Sequence, residues 1–92
     1  VKSLTAGRGV DHVVELGGAG TLEQSLRAVR IGGTVSLIGV LAGVAQPLNV
    51  IPILMQEIRV QGVFVGPREA FEDMNRALAA GGIKPVIDRV FP

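Results

Sequence analysis

Four side chains in this 92-residue sequence could do acid–base work or contact an anion: His12, Glu15, Arg59 and Arg68. None has an obvious chemical companion. With no cysteine, thiolate zinc sites and disulfides are both excluded, and one histidine cannot build a metal site unaided. No Ser/His/Asp set or carboxylate pair can be assembled either. The spacing does offer a glycine turn: Gly17-Gly18-Ala19-Gly20-Thr21 directly follows the apolar Val13-Val14-Glu15-Leu16. Gly18-Ala19-Gly20-Thr21-Leu22-Glu23 is similar to G-x-G-x-x-G, in which backbone amides at a helix start hold a pyrophosphate. Glu23 stands where the third glycine belongs, and no acidic residue falls between Glu23 and Glu57 to take ribose hydroxyls. The turn therefore reads as strand punctuation and a helix cap rather than a phosphate cradle. Thr21 and Gln24 have the spacing of a capping box. Glu15, inside an apolar strand, needs hydrogen-bond partners in a neighbouring loop or helix N-terminus.

The elements that position these residues follow from hydrophobic periodicity. Val10–Leu16 is a strand, and Thr21–Arg30 a helix with Leu22, Leu26 and Val29 on one face, stopped by Gly32-Gly33. Thr34–Val40 is a second strand, nearly continuous in apolar character, as in a parallel sheet covered on both faces. A loop over Leu41–Pro47 leads to Asn49, which caps a short helix running to about Gln56, with Pro52 at its third position. Val50, Ile51, Ile53, Leu54 and Met55 make that helix apolar all round, so part of it faces another chain or domain. Ile58–Val65 is a third strand, and its alternation of Ile58 and Val60 with Arg59 and Gln61 places it at a sheet edge. Arg68–Ala80 is a helix with an apolar stripe of Ala70, Phe71, Met74, Ala77 and Leu78. Pro85–Phe91 is extended.

Strand and helix alternate, so the expected fold is α/β: the second half of a doubly wound, Rossmann-type parallel sheet, three strands with crossover helices and an extended C-terminal tail. The whole of residues 1–92 is one partial domain. All three strands carry glycines at or beyond their carboxyl ends (Gly17-Gly18, Gly39 and Gly66), the edge at which open α/β sheets bind ligands.

Composition narrows the partners. Forty-eight per cent of residues are hydrophobic, the net charge is +1, and there is no basic run and no Trp or Tyr. Nucleic-acid binding is not expected, nor is a membrane span or a secretory signal. A cytoplasmic setting is compatible with the absence of cysteine. The sequence opens on Val1 and closes on Phe91-Pro92, which reads as a piece of a longer protein.

Three segments carry a family resemblance: Gly9-Val10-Asp11-His12-Val13-Val14-Glu15-Leu16-Gly17-Gly18, Ala28-Val29-Arg30-Ile31-Gly32-Gly33-Thr34-Val35-Ser36-Leu37-Ile38-Gly39, and Ile58-Arg59-Val60-Gln61-Gly62-Val63-Phe64-Val65-Gly66. In this order they resemble the medium-chain dehydrogenase/reductase family, the zinc-type alcohol dehydrogenases and their quinone-reductase relatives. Lys84-Pro85-Val86-Ile87-Asp88 is similar to the segment that leads back to the family's catalytic domain. The resemblance implies the C-terminal half of an NAD(P)-binding Rossmann domain. It implies that Leu16, Gly17 and Gly18 approach the cofactor's ribose region, that Ile38, Gly39 and Val40 contact the nicotinamide ribose, and that Val63, Phe64 and Val65 bond the carboxamide. It also implies a homodimer through Ile58–Val65, and NAD or NADP as cofactor. A missing N-terminal catalytic domain would supply the zinc ligands, the glycine-rich fingerprint and the acidic ribose binder. The fragment alone would then be inactive. The alternative is a non-catalytic α/β interaction module associating through residues 50–65.

Overall fold

Val29 decides the first departure from expectation. The computed structural model describes all 92 residues, and in it the first helix stops at Ala28, one residue before a valine that is wholly buried. Val29 is already extended (φ −72°, ψ 148°) and pairs with Val10. A β-branched core residue satisfies a helical stripe and a strand equally well, and here the strand takes it. The elements are β1 (Val10–Glu15), α1 (Leu22–Ala28), β2 (Val29–Leu37), α2 (Ile51–Met55), β3 (Arg59–Gly62) and α3 (Arg68–Gly81), after a 3₁₀ turn over Lys2–Thr5.

The expected glycine stop at Gly32-Gly33 is therefore a bulge inside β2. Val10 pairs with Val29 but His12 pairs with Thr34, so two steps along β1 match five along β2. The Gly32 amide donates to the Gln56 carbonyl at 2.8 Å, tying the bulge to the end of α2. From the same bulge Arg30 donates to Asp11 at 2.5 Å, and this bond holds the Asp11 carboxyl below its usual range.

The sheet is parallel, in the order β1-β2-β3, with Val13 opposite Val35 and Val35 opposite Val60. Leu26, Val29, Val35 and Ile58 form the buried core, and Val13, Leu22, Leu48 and Ile53 pack around it. Helix α1 lies against β1, β2 and α2, so both crossovers cover one face of the sheet. Two successive right-handed crossovers in one direction require this. The opposite face is open, and Val14 there is 62% exposed. This is the architecture of half a doubly wound domain, with one of its two helical layers.

The remaining boundaries differ locally. Strand β2 ends at Leu37 rather than Val40, because the amides of Ile38 and Gly39 both turn to the Glu15 carbonyl (2.8 and 3.3 Å). The Asn49 side chain accepts from the Ile51 amide at 3.0 Å, but Val50 rather than Asn49 stands at the helix start, so Pro52 is the second residue of α2 and not the third. Val50, Ile51, Leu54 and Met55 are exposed, in line with the all-round apolar pattern. Strand β3 is shorter than expected, and all four of its residues are exposed at the sheet edge. Helix α3 ends on left-handed Gly82, as a C-cap glycine should. Its stripe is uncovered: Phe71 is 59% exposed, and only Leu78 is partly buried. No helix is long and apolar enough to cross a membrane.

Candidate functional site

Glu15 ends β1 on the face covered by α1, and only 3% of it is accessible. Its Oε1 accepts from the amides of Gly17 (2.7 Å) and Gly18 (2.9 Å) and from the Thr21 hydroxyl (2.5 Å). Its Oε2 accepts from the Ser25 hydroxyl, one turn into α1. Burial pushes the carboxyl up, but the Ser25 and Thr21 hydroxyls and the two amides outweigh it and hold the group below its ordinary value. Glu15 is thus satisfied by a neighbouring turn and helix start, as its sequence position requires. The capping box does not form: Thr21 gives its hydroxyl to Glu15, and Gln24 donates to the Gly20 carbonyl at 3.2 Å. The carboxylate of the preceding strand instead ties the turn to α1 through the Thr21 and Ser25 hydroxyls. Ser25 was not singled out from sequence, though a hydroxyl between Leu22 and Leu26 on the apolar stripe signals a buried partner.

The loop leaving β2 is laced to this turn. Leu41 donates to the Leu16 carbonyl (3.1 Å), Ala42 to Gly17 (2.7 Å), and Ala19 to Gly43 (3.0 Å). The Gly20 amide is taken by the Gln46 side chain, and those of Thr21 and Leu22 by the Gly18 carbonyl. Every amide from Gly17 to Leu22 therefore has a partner within the chain. The turn itself therefore has no amide free for a pyrophosphate, and only those of Glu23 and Gln24, in the first turn of α1, are without a partner in the chain. Gly18 holds the junction at φ +73°, where a Cβ would stand 2.7 Å from the Gly43 carbonyl. Gly43 and Gln46 are the latch residues that sequence reasoning missed; a glycine and a glutamine in a loop are too common to stand out.

Between β2 and β3 the same edge is open. The Val63 amide donates to the Leu37 carbonyl at 2.9 Å, and there the pairing stops. The amides of Val40, Phe64 and Val65 and the carbonyls of Ile38, Val63 and Phe64 have no partner in the chain. A cleft of about 420 Å³ separates the two segments, lined by Ile38, Gly39, Val40, Val63 and Phe64 together with Leu37 and Gly62. Five of the nine expected cofactor residues therefore meet at one cleft. Gly18 and Val40 line a smaller neighbouring hollow of about 210 Å³, Leu16 backs onto Gly39, and Gly17 lines neither. Val65 follows directly on the Val63-Phe64 wall. Gly39 has a structural reason to be glycine, since a Cβ there would sit 2.7 Å from the Leu16 carbonyl.

The other candidates are not brought to this edge. His12 shares a 2.8 Å hydrogen bond with Ser36 across β1 and β2, Arg68 pairs with Glu72 at 2.7 Å, and Arg59 is exposed on β3. The largest hollow, about 690 Å³, runs along the unpaired outer side of β1 between Lys2 and α1 and includes none of the expected cofactor residues. No three His, Asp or Glu side chains come together.

A parallel sheet with crossover helices and an open cleft beyond its carboxyl ends defines half of a Rossmann-type, coenzyme-binding fold. The chain belongs to the zinc-binding dehydrogenase family, whose pattern matches residues 1–80. A zinc-type alcohol dehydrogenase-like protein of Schizosaccharomyces pombe is 38% identical over 97% of this chain and 27% of its own length. A solved structure assigned as an alcohol dehydrogenase, from Sinorhizobium meliloti 1021, superposes with a TM-score of 0.76 at 45% identity, over 96% of this chain and 26% of the other. An NAD-dependent alcohol dehydrogenase structure gives a TM-score of 0.75 at 27% identity, over 94% and 25%. The chain spans about a quarter of the length of each.

Proposed function

We propose that this chain is the nicotinamide-side wall of the cofactor cleft in an NAD(P)-dependent, zinc-type alcohol dehydrogenase-like oxidoreductase. The observation that carries the reading is the set of backbone groups without a chain partner on Ile38–Val40 and Val63–Val65, two segments that border one cleft through Ile38–Val40 and Val63-Phe64. An exposed amide and a carbonyl on one segment match a carboxamide, which donates and accepts at once. On this reading Val63, Phe64 and Val65 bond the carboxamide, Ile38, Gly39 and Val40 contact the adjoining ribose, and Leu16, Gly17 and Gly18 close its far side. The bound nicotinamide supplies hydride transfer to or from an alcohol or carbonyl carbon, and these residues orient the ring and keep water from it.

The donor set for zinc is not in these 92 residues: there is no cysteine, and the single histidine is engaged with Ser36. A metal would be held by the catalytic domain we propose to precede this segment. We assign the exposed outer edge of β3, within Ile58–Val65, to a homodimer contact in a cytoplasmic enzyme, with the apolar α2 beside it. This segment alone would not turn over substrate.

Val65→Pro in the full-length protein is the test. It deletes an amide that has no partner within the chain, so a structural effect is minimal, while the NADH dissociation constant should rise roughly tenfold. Unchanged NADH binding would sink the site assignment. Gly39→Val is a poorer probe, because it would displace Leu16 whether or not a ligand binds.

A further inference from the structure

The walls of the β2–β3 cleft are held from behind, and the chain of bonds that holds them starts at one buried side chain. A peptide plane points its N–H and C=O in opposite directions. In the Leu16–Gly17 peptide the N–H goes to Glu15 Oε1 and the C=O receives the Leu41 amide. In the next peptide the Gly18 N–H goes to the same oxygen and the Gly17 C=O receives the Ala42 amide. One carboxylate oxygen therefore grips two consecutive planes by their donor sides, and their acceptor sides carry the loop that leaves β2. The Leu16 carbonyl so oriented is also the surface against which Gly39 is seated. The main-chain carbonyl of Glu15 itself takes the amides of Ile38 and Gly39. The three residues that follow β2 in the cleft wall, Ile38 to Val40, are bracketed by these contacts.

We propose that Glu15 is the positioning residue of the cofactor edge. Without touching ligand, its carboxylate orients the Leu16–Gly18 peptides so that the 38–42 segment is seated at the distance from Val63–Val65 that a nicotinamide ring and its ribose need. The inference rests on the cofactor reading for the identity of the ligand, but not for the seating of the loop.

The groups facing Glu15 are uncharged on every side: Ser25 from α1, Thr21 and the two amides from the turn, and Leu37 opposite it in β2. The charged side chains of α1, Glu23 and Arg27, pair with each other at 2.6 Å on the solvent side. No cation competes for the carboxylate, so its whole hydrogen-bonding capacity goes to the turn and the helix start. A glutamine can still accept the two amides through Oε1, but as a neutral, weaker acceptor, and it presents N–H₂ to Ser25, whose hydroxyl can reverse.

The test is Glu15→Ala and Glu15→Gln in the full-length protein, read by amide hydrogen exchange over residues 38–43 and by NADH binding and turnover. Exchange at Leu41 and Ala42 should rise at least tenfold in the alanine variant and about two- to fivefold in the glutamine variant. The KM for cofactor should rise more than kcat falls, and glutamine should restore most of the loss. Where the alanine variant does not fold, glutamine decides alone. Wild-type exchange at Leu41 and Ala42 in a folded variant would overturn the proposal. So would equal falls in kcat and kcat/KM with no effect on KM. Faster exchange in a protein that binds no NADH even as wild type would uphold the seating of the loop and discard the cofactor reading.

Discussion

The two gaps between neighbouring strands at the carboxyl edge are built from similar material and end in opposite states. Beyond β1 and β2 the loops go on bonding to one another for five residues, and a buried carboxylate, a glutamine and two glycines consume what the backbone leaves over. Beyond β2 and β3 the bonding stops after Val63, and the next amides and carbonyls have no partner. Both gaps are apolar and glycine-containing, so neither composition nor the presence of glycine separates them. Polar satisfaction does. A glycine turn whose amides are all taken is a joint, whereas a cleft with unpaired donors and acceptors still has hydrogen bonds to offer.

The contrast can be attacked from either side. The largest effect should fall on the closed gap: Glu15→Ala strands four donors and should lower stability by on the order of 3 kcal/mol, read from urea denaturation of the full-length protein. Gly18→Ala should follow at roughly 2 kcal/mol, from a side chain forced to positive φ against the Gly43 carbonyl. If Gly18→Ala were neutral, the closed gap would be looser than its bonds imply. On the open side Val65→Pro should leave the urea midpoint almost unmoved and weaken NADH binding about tenfold, or roughly 1.4 kcal/mol.

Acid should erode the closed gap selectively. The folded Glu15 carboxyl lies below its ordinary value of 4.5, so its contribution is fully present above that pH. The contribution is lost as pH falls through the lower folded value, because a protonated group cannot accept from all four donors. A Glu15→Gln variant should lose less stability than wild type between neutral pH and pH 3, measured by thermal melts across that range. The smallest effect concerns the outer edge of β3. Val60→Pro should leave the protomer folded and shift a homodimer towards monomer in sedimentation velocity, since a proline removes an edge donor. A dimer that survives the change would have to use another surface.

Much of the framework was legible because each element carries its own period. Leu22 and Leu26 mark α1, the run Val35 to Leu37 marks the carboxyl end of β2, and Arg59 and Gln61 mark β3 as an edge. The errors cluster where one residue serves two patterns. Val29 fits the helical stripe and the strand alike, so periodicity carries the helix two residues past its true end at Ala28 and gives the bulge at Gly32-Gly33 the look of a helix stop. Thr21 and Gln24 have capping-box spacing, but the Thr21 hydroxyl is turned to donate to Glu15, an ionised acceptor, and no helix amide reaches it. Nothing local to Thr21 reveals that. The stripe on α3 was read correctly as amphipathic, yet no part of the sheet covers it, since periodicity says which face wants burial and not what will bury it.

The order of residues alone settled the parallel α/β class, the edge position of β3 and the absence of thiolate metal ligands, because these depend on composition and near-neighbour spacing. Only the folded chain decided which glycine turn is a joint and which gap is a cleft. That choice depends on hydrogen bonds between segments some 25 residues apart, Leu16 to Leu41 and Gly20 to Gln46. Such partners are brought together by the parallel register of β1 on β2, and a linear pattern does not encode which donor reaches which acceptor once that register is set.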